Sequence, residues 1–153
     1  MTEPLSPASD DGGGEASAKA MRQVLRDAGL RGTPARIASL QILRQSESPL
    51  THGEVAEQLD SLGIDKVTVL RNLTDLVNAG LARRAELGDR LWRYESVNPN
   101  VASDPHPHFL CIDCGSVQCV GDVKLTAASR KTSNSAGIVT EILLKGHCND
   151  CLR

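Results

Sequence analysis

Up to Gly80 the chain repeats apolar positions at intervals of three and four; beyond it the interval shortens toward two. The first rhythm belongs to helices with one buried stripe, the second to strands. Ala18, Met21, Leu25 and Ala28 predict a helix within 18–30, with Gly29 as its stop. Thr33-Pro34 opens a second helix: threonine suits the N-cap and proline the first helical position, leaving Ile37, Leu40 and Leu43 to face inward. Thr51 caps a third, which is expected to bury Val55, Leu59 and Leu62 and to end at Gly63. A fourth, spanning 66–79, carries Val69, Leu73, Leu76 and Val77 as its buried stripe. Thr68, Arg71, Asn72 and Asp75 stand at i, i+3, i+4 and i+7 and are expected to share another face. The stretch Leu81–Glu95 reads as two short strands around a turn at Leu87–Asp89.

Three or four helices followed by a hairpin is the order of a winged helix-turn-helix, in which the last helix enters the major groove and the hairpin touches the backbone. On that placement Thr68, Arg71 and Asn72 are candidates for base edges and phosphates. Arg83, Arg84 and Arg90, with Arg93, suit phosphate contacts. The expected partner is a double-stranded DNA operator; the competing reading is a small helical domain with a solvated basic hairpin. Net charge is −2 and does not advertise nucleic acid, but its distribution helps. Residues 1–17 carry four acidic and no basic side chains, whereas 18–95 carry a net +2.

Composition then divides the chain. Residues 1–17 read as a disordered tail, 18–95 as the DNA-binding unit, 96–105 as a hinge and 106–153 as a second unit. In that unit Phe109–Ile112 and Val117–Val120 read as paired strands, 124–131 as a weak helix and 138–144 as a β-rich run. The fold class expected is α+β, a winged helix-turn-helix followed by a small α/β domain. Fewer than 60 residues, in a chain whose aromatics are Trp92, Tyr94 and Phe109, cannot build a secure core alone. Metal and a second copy of the chain are expected to supply the rest, giving a homodimer.

The chemistry concentrates in that second unit. Cys111 and Cys114 form a C-x-x-C pair followed by Gly115, and Cys148 and Cys151 form another, with 33 residues between the pairs. Four thiolates in two pairs meet the tetrahedral demand of a structural zinc ion. A disulfide or redox pair is the alternative. The acidic, apolar-poor residues 1–14 are the opposite of a secretory signal, and a reducing cytoplasm favours metal over disulfide. No run approaches the roughly 20 apolar residues of a membrane helix.

Several ordered motifs lie together: Thr33-Pro-Ala-Arg36, Thr68-Val-Leu-Arg-Asn-Leu73, Trp92-Arg-Tyr-Glu95, His106-Pro-His108 before the first cysteine pair, and Gly146-His147 before the second. Through them the chain resembles, over 18–153, the ferric uptake regulator family of bacterial metalloregulators, including its zinc uptake regulator branch. The resemblance implies a metal-responsive repressor: a DNA-binding winged helix, a dimerisation domain with structural zinc, and a regulatory metal site between them. The chain departs from the family pattern at four places. Leu70 replaces an aromatic in the recognition helix, Cys119 an acidic ligand, Thr140 a histidine, and Pro49 a histidine that His52 follows three residues later.

His106 and His108 are two apart and so share one side of a strand. By the family's register Cys119 points at the same site, Glu95 closes it from the wing, and His52 is a further candidate. Each residue has a plainer reading: surface histidines, a small buried thiol, a solvated carboxylate. Two imidazoles, a thiolate and a carboxylate suit zinc better than iron as the second divalent metal. An iron- or peroxide-responsive regulator of the same family is the alternative. No nucleophile–base spacing, phosphate-cradling loop or H-E-x-x-H is present, so an enzyme is not expected. A zinc hydrolase or a zinc-ribbon interaction module remain the distant readings.

Overall fold

The computed structural model describes residues 12–97 and 106–153, with side chains from residue 14 onward. Residues 98–105 of the expected hinge and 1–11 of the expected tail lie outside the described residues. Helix α1 (Gly12–Asp27) begins within the stretch read as tail. Tertiary support explains the extension: Gln41 Nε2 donates to Ser17 Oγ at 3.4 Å, while Met21 and Val24 pack on the core. Helices in proteins draw most of their stability from such packing, which composition does not display.

The next three helices start where the sequence places them, for local reasons. In α2 (Pro34–Gln45) the Thr33 hydroxyl accepts from the Arg36 N–H at 3.3 Å. In α3 (His52–Leu59) Thr51 and Glu54 form a reciprocal capping box. A 3₁₀ turn (Asp60–Leu62) follows, and Gly63 closes it at φ +69; the change of helical pitch leaves Leu62 exposed rather than buried as expected. Helix α4 (Lys66–Asn78) is capped by the Asp65 carboxylate, which accepts from the Thr68 N–H at 2.9 Å. Leu25, Leu40, Val55, Val69, Leu73 and Leu76 meet in the centre and are solvent-free. An ion pair from Arg36 to Asp75 ties α2 to α4.

A three-stranded antiparallel sheet flanks these helices, in the order β1 (Leu50–Thr51), β3 (Trp92–Ser96), β2 (Ala82–Glu86). The two-residue β1 is too short to leave a sequence pattern. In the β2–β3 turn the Glu86 carboxylate accepts from the N–H groups of Gly88 and Arg90, each at 2.7 Å.

The second sheet is mixed, in the order β5 (Val117–Cys119), β4 (His108–Cys111), β6 (Leu143–Gly146). Strand β5 runs antiparallel to β4, and β6 parallel to it. The β-rich run read at 138–144 becomes strand only at its end. Helix α5 (Ala127–Ala136) is displaced from the expected 124–131 and buries none of its residues. No helix among the described residues is long and apolar enough to cross a membrane.

Candidate metal centres and nucleic-acid face

Parallel pairing of β4 with β6 brings both cysteine pairs to one end of the sheet, because Cys111 stands opposite Gly146 and both strands finish there. Gly115 sits at φ +72, a left-handed conformation that glycine adopts without steric cost, and its N–H donates back to the Cys111 carbonyl at 3.0 Å. The Leu152 N–H repeats this turn onto the Cys148 carbonyl at 3.1 Å. The sulfurs of Cys111, Cys114, Cys148 and Cys151 all lie within 4.8 Å of one another. Those of Cys114 and Cys148 are 3.8 Å apart. That is the edge of a tetrahedron with zinc–sulfur distances of roughly 2.3 Å, and about twice an S–S bond.

The amides around the buried Cys111 favour its thiolate. N–H groups of Cys114 and Cys148 hold the thiol down to about 6. The neighbouring thiols of Cys148 and Cys114 push Cys151 up. His147 Nδ1 and the Asp113 carboxylate, 2.5 Å apart, join one knuckle to the other, and Asp113 raises the histidine's pKa.

The second cluster gathers Glu95, His106, His108 and Cys119, whose ligand atoms also lie within 4.8 Å of one another. Glu95, His106 and His108 line a cleft of about 390 Å³ between the two sheets, with Arg83, Thr140 and Glu141. His106 lies just before β4 rather than in it, yet its ring centroid is 4.8 Å from that of His108. Register places Cys119 opposite His108 across the β4–β5 ladder. His108 is 3% exposed, and neither ring nitrogen has a hydrogen-bond partner. Nε2 stands 3.7 Å from Glu95 Oε2 and Nδ1 stands 3.8 Å from Glu141 Oε1. A buried imidazole without partners is costly, and a cation on Nε2 with the Nδ1–H turned to Glu141 removes the cost.

Burial pushes the Glu95 carboxyl up, but His108 and the Arg83 guanidinium outweigh it and bring it down to about 2. Burial and the Glu95 charge push the Cys119 thiol up. The donor set of two imidazoles, one carboxylate and one thiol matches a four-coordinate zinc ion.

His52 stands apart from this cluster. Its Nε2 contacts the Lys66 carbonyl at 2.7 Å, bridging the starts of α3 and α4, so the structure does not support it as a ligand. Sequence reasoning missed Glu141, which only the parallel return of the chain beside β4 brings to His108.

On α4 the outward face is Val67, Leu70, Arg71 and Thr74. Asn72 is not on it: the side chain is 5% exposed among the apolar stripe, which corrects its expected role at DNA. The half-buried Thr68 spends its hydroxyl on Asp65 at 2.6 Å. On the wing Arg84 is exposed and lies 4.6 Å over the Trp92 ring, and Arg90 is exposed in the turn. Arg83 faces the other way, donating through Nε and Nη2 to Glu95 Oε2 at 3.0 and 2.8 Å. Arg93 is buried. Both therefore leave the expected phosphate-contacting set in this arrangement.

A sequence model described as the ferric uptake regulator family matches residues 27–143. The ferric uptake regulation protein of Escherichia coli K12 is 30% identical over 138 residues, covering 83% of this chain and 88% of that protein. Among solved structures, the ferric uptake regulator of Vibrio cholerae superposes with a TM-score of 0.66 at 26% identity, covering 83% of this chain and 98% of that one. A zinc uptake regulator in complex with zinc and DNA superposes with a TM-score of 0.58 at 17% identity, over 90% of this chain and 93% of that one, a likeness of fold alone.

Proposed function

The chain belongs to the ferric uptake regulator family, a family of metal-responsive regulators, and from that premise we propose a homodimeric repressor whose grip on its operator is set by zinc. The observation that carries this reading is His108: a buried imidazole without partners, wedged between two carboxylates and facing a thiol across the β4–β5 ladder. Glu95 belongs to the wing, whereas His108 and Cys119 belong to the second sheet and His106 lies just before it. A divalent ion held by all four cross-links the wing to the sheet and fixes how α4 is presented. Such an ion shifts the equilibrium only by its preference for the DNA-competent arrangement, so the four donors must come together more closely there.

The division into a DNA-binding unit at 18–95 and a dimerisation unit at 106–153 is part of this proposal. Dimerisation is supported by apolar surface beside the second sheet: Ile138 is 94% exposed, and Val139 and Leu144 are also open. The four-cysteine cluster holds a structural zinc in this reading, and Arg71 with Leu70 and Thr74 faces the operator. A cytoplasmic regulator rather than an enzyme is the corresponding expectation.

Iron is the second reading, favoured by the names of the curated relatives, which are ferric uptake regulation proteins. Cys119 argues for zinc, since a thiolate is a soft ligand and iron(II) beside an accessible thiolate invites oxidation. The deciding test is fluorescence anisotropy on promoter DNA, titrated separately with zinc, iron(II) and manganese(II). Zinc is expected to promote binding at the lowest free concentration, and His108→Ala to abolish the response. Equal binding with chelator present removes the metal-responsive reading; iron(II) as the most potent ion replaces zinc.

A further inference from the structure

Arg83 is the strand neighbour of Glu95 across the β2–β3 ladder, and its guanidinium is engaged with two of the four candidate ligands. Nε and Nη2 both donate to Glu95 Oε2, at 3.0 and 2.8 Å. Nη2 also lies 3.3 Å from His106 Nδ1. A guanidinium has donors and no acceptor, so Nδ1 must be the acceptor there, and the ring proton sits on Nε2. That placement agrees with the other contact, since Nε2 stands 2.9 Å from Glu95 Oε1 and donates to it.

This network opposes metal binding at two atoms. Glu95 Oε2 is capped by two N–H groups of one guanidinium, both charge-assisted donors onto the same oxygen. His106 holds its proton on Nε2, so ligation through that nitrogen requires moving the proton to Nδ1, which Arg83 faces with a donor. Ligation through Nδ1 meets the same guanidinium directly. Whichever nitrogen serves, the Arg83 N–H must withdraw. Charge adds to the conflict, because a divalent ion and a guanidinium around one carboxylate repel each other across a half-buried cleft.

We propose that Arg83 is an internal competitor for the second metal site, setting how much free zinc is needed to fill it by holding Glu95 and His106 in forms that a metal cannot use. The proposal rests on the reading of Glu95, His106, His108 and Cys119 as a metal site. Withdrawal is sterically open, because the Arg83 side chain is 32% exposed and its stem can carry the charge into solvent. A competitor of this kind raises the threshold for every ion equally. At limiting concentrations it thereby leaves the site to ions with the tightest intrinsic grip.

The test is zinc affinity of the second site, measured by competition with a chromophoric chelator on the full chain with its four-cysteine site loaded. Arg83→Met is expected to tighten that affinity by about tenfold, the range of one partly exposed ion pair and its hydrogen bonds. Arg83→Lys keeps the charge and is expected to stay nearer the wild type. In the wild-type protein the Arg83 ¹⁵Nε–H resonance is expected to move on the second equivalent of zinc. The resonance remains a readout if the methionine variant does not fold. Unchanged or weaker zinc binding in Arg83→Met, or an Arg83 resonance indifferent to the second equivalent, overturns the proposal while leaving the metal site standing. A wild-type chain that takes up one zinc only, unaffected by Glu95→Gln, overturns the metal-site reading and this proposal with it.

Discussion

Arg93, on the wing strand, reaches across to the first cysteine knuckle and donates to the Gly115 carbonyl at 3.2 Å. Its guanidinium is 5% exposed and also pairs with Asp89 at 2.7 Å, so one buried cation locks the hairpin turn and joins the two sheets. Arg93→Met is expected to cost about 1–3 kcal/mol, discounted because Asp89 is partly open to water. The Arg93 hydrogen bond holds the Asp89 carboxyl below its usual range. The pair's contribution is therefore complete above the ordinary carboxylate range and fades as pH falls through the depressed value. Urea unfolding of both proteins between pH 7 and pH 3 checks this; a deficit that grows with acid contradicts the assignment.

Asn72 and Arg71 are neighbours on α4 with opposite fates, one buried and one exposed. Arg71→Ala is expected to weaken operator binding by 1–3 kcal/mol, or to lower the salt slope by about one if its contact is a phosphate. Asn72→Ala is expected to leave the salt slope unchanged and to act through stability. Anisotropy titrations at several salt concentrations, with urea unfolding alongside, separate the two; an Asn72→Ala protein that loses operator affinity without losing stability would place that side chain at the DNA.

Removing one thiolate from the knuckles tests their role. Cys148→Ser is expected to lower zinc content by one ion per chain, measured by elemental analysis. It should also loosen β6 from β4, because Cys148 lies two residues beyond β6 and its N–H donates to Cys111 Sγ at 3.3 Å. Unchanged zinc content together with an unchanged melting temperature would show that the cluster is not a structural metal site.

The sequence told more about elements than about orientations. Helices α2 to α4 were legible because caps and apolar spacing agree at Thr33, Thr51 and Gly63. That the four cysteines cluster, and that His106 lies beside His108, was legible because residue types that can ligate a metal recur there at short, paired spacings. Asn72 was misplaced although the signal existed: it stands three residues after Val69 and four before Leu76, inside the buried stripe. Arg83 and Arg84 carried a similar warning, since adjacent strand residues point to opposite faces and only one can face outward. Glu141 had no local signal. Its approach to His108 depends on a parallel strand pairing between segments some 30 residues apart, which no short pattern encodes.

Glu141 gives the next prediction. Its carboxylate stands 3.8 Å from His108 Nδ1. If it orients the ring, Glu141→Gln should weaken second-site zinc affinity by about 10-fold, the lower end for groups that hold a ligating histidine. Chelator competition measures this, and the count of bound zinc ions should stay at two. A loss of the second ion altogether would instead make Glu141 a ligand.

The final prediction concerns Cys119, on which the preference for zinc rests. Its sulfur is half-buried and stands 4.0 Å from Glu95 Oε1, close enough for both to reach one ion. Burial and the Glu95 charge raise the thiol, so ligation must displace a proton that the protein alone retains. Zinc, with its affinity for sulfur, drives that exchange better than a harder ion. Cobalt(II) makes the bond visible. With the four-cysteine site already filled by zinc, cobalt added to the second site is expected to show a thiolate-to-metal charge-transfer band. Cys119→Ser should lose that band and weaken zinc-dependent DNA binding while keeping the structural zinc. A band that persists in the serine variant would mean that the sulfur belongs to the four-cysteine site. If operator binding then keeps its zinc dependence as well, Cys119 is not a sensing ligand and the preference for zinc loses its basis.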